Sequence, residues 1–196
     1  MMNEKDFTGR VVLVTGAGRG AGRLLAQAFA SRGAIVAAND ITPVNLEPVV
    51  DAINATGGQA RAYIHDIAKK VDVQAMVNRV TDDFGRIDIL VNCANVQFPA
   101  PLLEIDEWDL HRVFEVNAIG TLLMIQSVGR VMRAQGGGTI LTVVKTPAQA
   151  PATFIASRAG LVAMTGRLNL ELAGHGLRIL AVTSADPLED VLAACL

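Results

Sequence analysis

The sequence predicts an α/β fold, a doubly wound parallel sheet of about six strands with helices on both faces, and three observations carry that expectation. Short apolar runs recur along the chain, with helix-like segments between them. The runs lack strict apolar/polar alternation, so each strand is expected to be buried on both faces, as in a sheet whose crossovers are helices. A glycine-rich stretch, Thr15 to Gly22, follows the first run and opens the first helix, which is where such a sheet places a phosphate-binding turn.

Strands are expected at Val11 to Thr15, Ile35 to Asn39, Ala60 to His65, Ile87 to Asn92, Thr139 to Val144 and Leu177 to Thr183. Helices are expected between them at Gly20 to Arg32, Pro43 to Thr56, Lys70 to Phe84, Ile105 to Ala134 and Thr153 to Gly174. Gly57-Gly58 and Gly136-Gly137-Gly138 end helices and lead into strands, a place that favours a residue tolerant of positive φ. No linker, repeat or low-complexity tract divides the 196 residues, so one Rossmann-like domain over 1–196 is expected. In the tail, Asp186 reads as an N-cap, Pro187 as the first helical residue and Glu189 as the partner that reaches back to the cap. Leu188, Val191, Leu192, Cys195 and Leu196 then form one apolar stripe that something must cover.

Half of the residues are apolar (51%) and the formal net charge is only −2, so neither nucleic acid nor an anionic membrane is an expected partner. Charges break every apolar run well before the roughly 20 residues of a membrane helix, and no basic-then-apolar leader precedes Phe7. The two cysteines, Cys93 and Cys195, fit no metal-ligand spacing and suit a reducing compartment, so no metal and a cytoplasmic location are expected.

Val11-Val12-Leu13-Val14 runs into Thr15-Gly16-Ala17-Gly18-Arg19-Gly20-Ala21-Gly22, and an amphipathic helix follows. A buried strand, a glycine turn and a helix N-terminus together aim backbone N–H groups and the positive end of the helix dipole at a pyrophosphate. Gly16, Gly18, Arg19, Gly20, Ala21 and Gly22 are therefore candidate contacts of a dinucleotide; the alternative is a tight turn that serves only close helix–strand packing. Asp40 ends the second strand about twenty residues further on, where a carboxylate accepts from the adenosine ribose. That favours NAD over NADP, whose extra phosphate would be repelled there, although Arg19 offers partial compensation. Asp40 as an N-cap of the next helix, or as a solvated strand end, is the competing role.

This combination resembles the short-chain dehydrogenase/reductase family, whose cofactor turn is T-G-x-x-x-G-x-G; Thr15, Gly16, Gly20 and Gly22 match its defined positions. The resemblance extends through His65-Asp66-Ile67, where Asp66 and Ile67 would meet the adenine, and Asp88-Ile89-Leu90-Val91-Asn92-Cys93-Ala94-Asn95, similar to the family's D-I-L-V-N-N-A-G strand. Asn92, Cys93 and Ala94 would then border the cofactor, with Cys93 and Asn95 as departures. Trp108 and the segment Phe114 to Gly120 resemble the family's long helix, which places Asn117 at the asparagine of its catalytic tetrad.

The resemblance implies chemistry by a tyrosine general acid/base assisted by serine and lysine, on a Y-x-x-x-K motif. In that register the chain reads Phe154-Ile155-Ala156-Ser157-Arg158. Phenylalanine keeps the ring and loses the proton, in a role that typically supplies about 10²–10⁴ in rate. Arg158 does not reproduce a compact ammonium, though it could bind ribose hydroxyls. The serine register falls on Thr142-Val143-Val144-Lys145, without a hydroxyl where one is expected, and the loop from Lys145 to Phe154 is shorter than the family's. Thr146 could orient a carbonyl, but a threonine hydroxyl is a poor proton donor. Lys145 could donate a proton if a hydrophobic cleft lowered its pKa, or form an anion-binding pair with Arg158, or simply be a solvated strand-end charge.

Family members continue beyond the equivalent of Leu196 into a substrate-covering segment and a seventh strand, and Ser184-Ala185 stand where the family has P-G. The expectation is thus a sheet without its seventh strand and an open substrate site. An unpaired sixth strand, with the helices Ile105 to Ala134 and Thr153 to Gly174 as the family's association surface, points to a homo-oligomer. Three functions remain open: an NAD(H)-binding protein with lost or strongly reduced oxidoreductase activity, an active NAD-dependent oxidoreductase using Lys145 or water, and a cofactor-free structural partner in an oligomer.

Overall fold

The computed structural model describes residues 7–144, 147–183 and 187–196. Lys145, Thr146 and the Asp186 cap therefore lie outside the described residues. The elements follow in the order β1 (Val11–Thr15), α1 (Gly20–Ser31), β2 (Ile35–Asp40), α2 (Pro43–Ala55), β3 (Gln59–Ile64), α3 (Lys70–Phe84), β4 (Ile89–Asn92), α4 (Glu107–Phe114), α5 (Thr121–Ala134), β5 (Gly138–Val144), α6 (Ala152–Leu172), β6 (Leu177–Thr183) and α7 (Leu188–Ala193). The strands form one six-stranded sheet in the order β3-β2-β1-β4-β5-β6, and every pairing is parallel. The order reverses between β1 and β4, and a doubly wound sheet opens its ligand crevice beyond the strand ends at that switch point.

β1, β2 and β4 are nearly continuous apolar runs because helices cover both of their faces. On one face Val12, Val14, Val91 and Leu141 pack under α1 and α2 with Phe29 and Leu46. On the other, Leu13, Leu90 and Ile140 pack with Met76 of α3 and Met124 and Met132 of α5. Phe7 meets Phe29 edge-on at 4.9 Å and closes the first face.

Burial on both faces fails for β3, where Gln59, Arg61 and Ile64 are exposed, because it is an edge strand and only β2 pairs with it. β4 starts at Ile89 rather than Ile87, since the backbone of Ile87 is bonded by the Gln135 side chain instead of a neighbouring strand.

The long helix expected from Ile105 to Ala134 is not continuous. Between α4 and α5 the residues Glu115–Gly120 form a wider π-type turn, and Asn117 sits inside it with its side chain bonded to the Val96 backbone.

The tail stripe is covered by the protein's own core. Val191, Leu192 and Cys195 are buried with Phe7 and Phe29, while Leu188 and Leu196 stay partly exposed. Pro187 stands at the N-cap position and Leu188 is the first helical residue. Glu189 pairs with Arg32 at the end of α1, at 2.5 Å. No helix among the described residues is long and apolar enough to cross a membrane.

Candidate functional site

A cleft of about 670 Å³ lies at the carboxyl ends of β1, β2, β4 and β5. Its floor is the glycine turn. Gly16 has φ +65°, and a Cβ there would stand 2.7 Å from the Ala94 Cα, so the turn presses directly on the end of β4. Thr15 Oγ1 fastens the same junction by accepting from the Cys93 and Ala94 N–H groups, each at 3.2 Å. Gly20, the first residue of α1, has φ +55° and nothing within 4 Å of its would-be Cβ. The N-terminus of α1 thus opens into the cleft with no side-chain cap at Arg19 and no acidic residue in its first turn, the condition for an anion site.

Asp40, at the end of β2, lines the cleft. Its Oδ2 accepts from Gly18 N–H at 3.0 Å and its Oδ1 from Ile41 N–H at 2.8 Å. Thr42, not Asp40, occupies the N-cap of α2, so Asp40 is a carboxylate held against the glycine turn. On the β3 side, Asp66 and Ile67 line the cleft. Asp66 Oδ2 accepts from Arg112 Nη2 at 3.0 Å, and its Oδ1 accepts from Ala68 N–H at 3.0 Å.

Strand order places this carboxylate-bearing half over β2 and β3 and the other half over β4 and β5. That second half is walled by Cys93, Val116, Val143, Pro147 and Phe154. Phe154, at the start of α6, is 2% exposed and puts a bare ring on the wall. The chain's single tyrosine is Tyr63. It lies buried in β3 with its hydroxyl donating to Asp83 at 2.7 Å, and burial, followed by that carboxylate, pushes its pKa upward. It does not line the cleft.

Of the residues singled out in the sequence, Gly16, Arg19, Gly20, Ala21, Gly22, Asp40, Asp66, Ile67, Cys93, Ala94 and Phe154 come together on the cleft wall. Gly18 joins them through Asp40. Three do not. Asn117 is fully buried: its Oδ1 accepts from Val96 N–H at 2.8 Å, and its Nδ2 donates to the Val96 carbonyl at 2.9 Å and to Ser157 Oγ at 3.0 Å. That amide fixes the wide turn to the segment after β4. Asn92 is buried with both amide atoms unpartnered.

Arg158, read as able to bind ribose hydroxyls, does not line the cleft. It is 2% exposed and absent from the wall; its Nη2 donates to the Val143 carbonyl while Nε and Nη1 have no acceptor. Desolvation lowers its pKa, and burial pushes the neighbouring Cys93 thiol up to about 12.

Sequence reading missed Arg112, which lies on α4 five positions before Asn117 and carries no motif signal of its own. It also read Asn95 only as a lost glycine. Asn95 lines the cleft, and its amide donates to the Cys93 carbonyl at 2.8 Å. Among the described residues no group of three or more metal-ligating side chains is present.

The donor set fits the adenosine and pyrophosphate part of a dinucleotide, since an uncapped helix N-terminus, an open Gly20 cradle and the Asp40 carboxylate face one cleft. The opposite half offers a hydrophobic ring in place of a proton donor. Comparison with known proteins agrees with this arrangement. The family model described as short chain dehydrogenase matches residues 10–186. D-threitol dehydrogenase of Mycolicibacterium smegmatis is 37% identical over 175 residues, which cover 87% of this chain and 67% of that protein. A metagenomic short-chain oxidoreductase in complex with NADP superposes with a TM-score of 0.87 at 28% identity, covering 95% of this chain and 90% of the other. NAD+-bound xylitol dehydrogenase superposes with a TM-score of 0.85 at 31% identity, covering 91% and 71%.

Proposed function

The chain belongs to the short-chain dehydrogenase family, and from that premise we propose that it is an NAD(H)-binding member whose tyrosine-dependent oxidoreductase activity is lost or strongly reduced. One observation carries the reading. The position at which the family's tyrosine would face the cleft is Phe154, and the chain's single tyrosine is tied to Asp83 outside it. When bound, the nicotinamide supplies or accepts a hydride; the protein's part is to hold the ring and move the proton. Phe154 can do only the first. Asn117 is consumed by Val96 and Ser157, and Cys93 is a neutral thiol at physiological pH.

NAD is favoured over NADP because the Asp40 carboxylate stands in the cleft and repels a further phosphate. The relatives include one bound to each cofactor, so the preference rests on Asp40 alone. A homo-oligomer is supported by Ile119 in the wide turn, Leu122 at the start of α5, and Ile155 and Val162 on α6, all exposed apolar residues. Two free buried thiols suit a reducing cytoplasm.

Fluorescence titration with NADH, together with a hydride-transfer assay on a panel of polyols and carbonyls, tests the reading. Saturable binding weakened by Gly20→Val and by Asp40→Ala is expected. Turnover is expected to be about 10²-fold or more below that of a Phe154→Tyr, Arg158→Lys double variant. Wild-type turnover equal to the double variant's, abolished by Lys145→Ala, would establish the active oxidoreductase instead. Absence of NADH binding at millimolar concentration would leave a cofactor-free structural partner.

A further inference from the structure

Behind the wall formed by Cys93, Val143 and Phe154 lies a positive charge that has no anionic partner among the described residues. Arg158 is nine-tenths buried and more, gives one hydrogen bond to the Val143 carbonyl, and leaves Nε and Nη1 without acceptors. Among the described residues the ionisable group that acts on it is the Cys93 thiol, which is held neutral by its own burial. A desolvated cation without a partner is among the least favourable arrangements a folded chain can carry, so the geometry asks for an occupant that brings acceptors and one negative charge.

Two more buried side chains have unpartnered polar atoms. Asn92 ends β4 in register with Thr142 of β5, and neither of its amide atoms has a partner. Thr153, in the first turn of α6, has a buried hydroxyl without one. α6 begins there with no side-chain cap and no acidic residue in its first turn, which adds the positive end of a long helix. Phe154 and Arg158 are four residues apart on α6 and share a face, so the guanidinium sits one turn behind the ring that lines the cleft.

We propose that this end of the cleft is a carboxylate-binding subsite, in which a small organic acid lies against Phe154 and takes hydrogen bonds from Arg158. One buried monovalent cation matches a monoanion better than a phosphate dianion, and the apolar walls Val116, Val143 and Pro147 suit an organic body. Reaching Arg158 requires the buried Phe154 ring to leave the wall, so binding is coupled to displacement of that ring. The proposal deepens the family reading by naming the ligand class of the same cleft. It rests on that reading only for the cleft's identity, so its test uses protein free of dinucleotide.

Calorimetry and thermal-shift measurements with sodium acetate, lactate and benzoate are compared with acetamide, lactamide, benzamide and sodium chloride at matched ionic strength. At least one carboxylate is expected to bind saturably, with a Kd in the range of about 1–10 mM, and to raise Tm as occupancy rises. The amides and chloride are expected to leave Tm unchanged. Arg158→Met and Arg158→Gln should weaken carboxylate binding by about tenfold or more, while Arg158→Lys retains part of it. Met removes the buried charge and is expected to fold, since replacing buried charge by apolar side chains is often neutral or stabilising. Amides binding as well as carboxylates, an equal response to chloride, unchanged binding in a folded Arg158→Met protein, or no saturation by about 50 mM would each overturn the assignment. NADH titration of the same samples separates the two readings: loss of carboxylate binding with NADH binding intact removes only this one, and the reverse removes only the cofactor reading.

Discussion

Gly22→Ala tests how closely α1 is pressed onto the turn that precedes it. A Cβ at this position would stand 2.2 Å from the Gly16 carbonyl oxygen and 2.7 Å from its carbon, against favourable separations of about 3.5–4.0 Å. Both neighbours are backbone atoms, so no rotamer change relieves the overlap and α1 must lift from the turn. Overpacking of this kind costs about 1–3 kcal/mol, and the better helix propensity of alanine offsets at most about 1 kcal/mol of it. A net loss of about 1–2 kcal/mol lowers Tm by roughly 2–8 °C in a chain of this size. The lifted helix end should also weaken NADH binding. Gly129→Ala is the control: its Cβ would meet only Leu177 Cδ2, at 3.5 Å, an ordinary contact on α5. There the helix gain is unopposed, and Tm should hold or rise by up to about 4 °C. Thermal denaturation of both variants checks the pair, and a Gly22→Ala protein as stable as wild type would refute the close approach.

Further outcomes follow from the same geometry. Asp40→Ala removes a charged acceptor from the cleft, so the Kd for NADH should rise roughly tenfold to a hundredfold, with the gap between NADH and NADPH shrinking in the same fluorescence titration. Leu192→Ala empties a fully buried position in α7 and should cost about 2–5 kcal/mol by chemical denaturation. Arg32→Ala, which breaks an ion pair to the largely exposed Glu189, should cost less than about 1 kcal/mol. The Cys93 and Cys195 thiols are raised by burial to about 12 and about 11, so both stay neutral when the protein is folded at pH 8. A thiol-reactive dye should then label them only on unfolding. Because the folded values are raised, the stabilisation from the neutral thiols is fully present below the ordinary thiol range and is lost as pH climbs through it toward 11 and 12; stability that holds flat across that alkaline window would contradict the burial.

The strands and the glycine turn were legible because both write their signal locally. β1 and β2 read as apolar runs, and the spacing of Thr15, Gly16, Gly20 and Gly22 marks the turn without any knowledge of what lies across it. The break between α4 and α5 was not legible, because its partner is the Val96 backbone, reached only once the chain has folded, and because Gly120 must pass within 3.0 Å of Ile67 at the position of its would-be Cβ. Arg112 escaped notice for the same reason: a single arginine on a helix acquires meaning only when Asp66 is carried to it by β3. The direction of Arg158 was not legible, because sequence register gives the position of a side chain on α6 but not whether it turns toward the cleft or toward Val143.

The direction of Arg158 bears on how the two halves of the cleft relate. In the half over β2 and β3, Asp40 and Asp66 have their acceptors partly engaged by Gly18, Ala68 and Arg112, so the polar groups are already ordered before anything binds. In the half over β4 and β5, Phe154 is bare and Arg158, Asn92 and Thr153 keep unpartnered atoms. Unmade hydrogen bonds in a buried site cost stability that an occupant can restore, and the difference is read in Kd, since ligands at equal fractional saturation stabilise a protein equally. Arg158→Met should leave the Kd of ADP-ribose, which ends before the second half, unchanged within about twofold while it weakens a carboxylate by about tenfold or more. An Arg158→Met protein that loses both ligands alike would show that the guanidinium supports the whole cleft rather than binding at its second half.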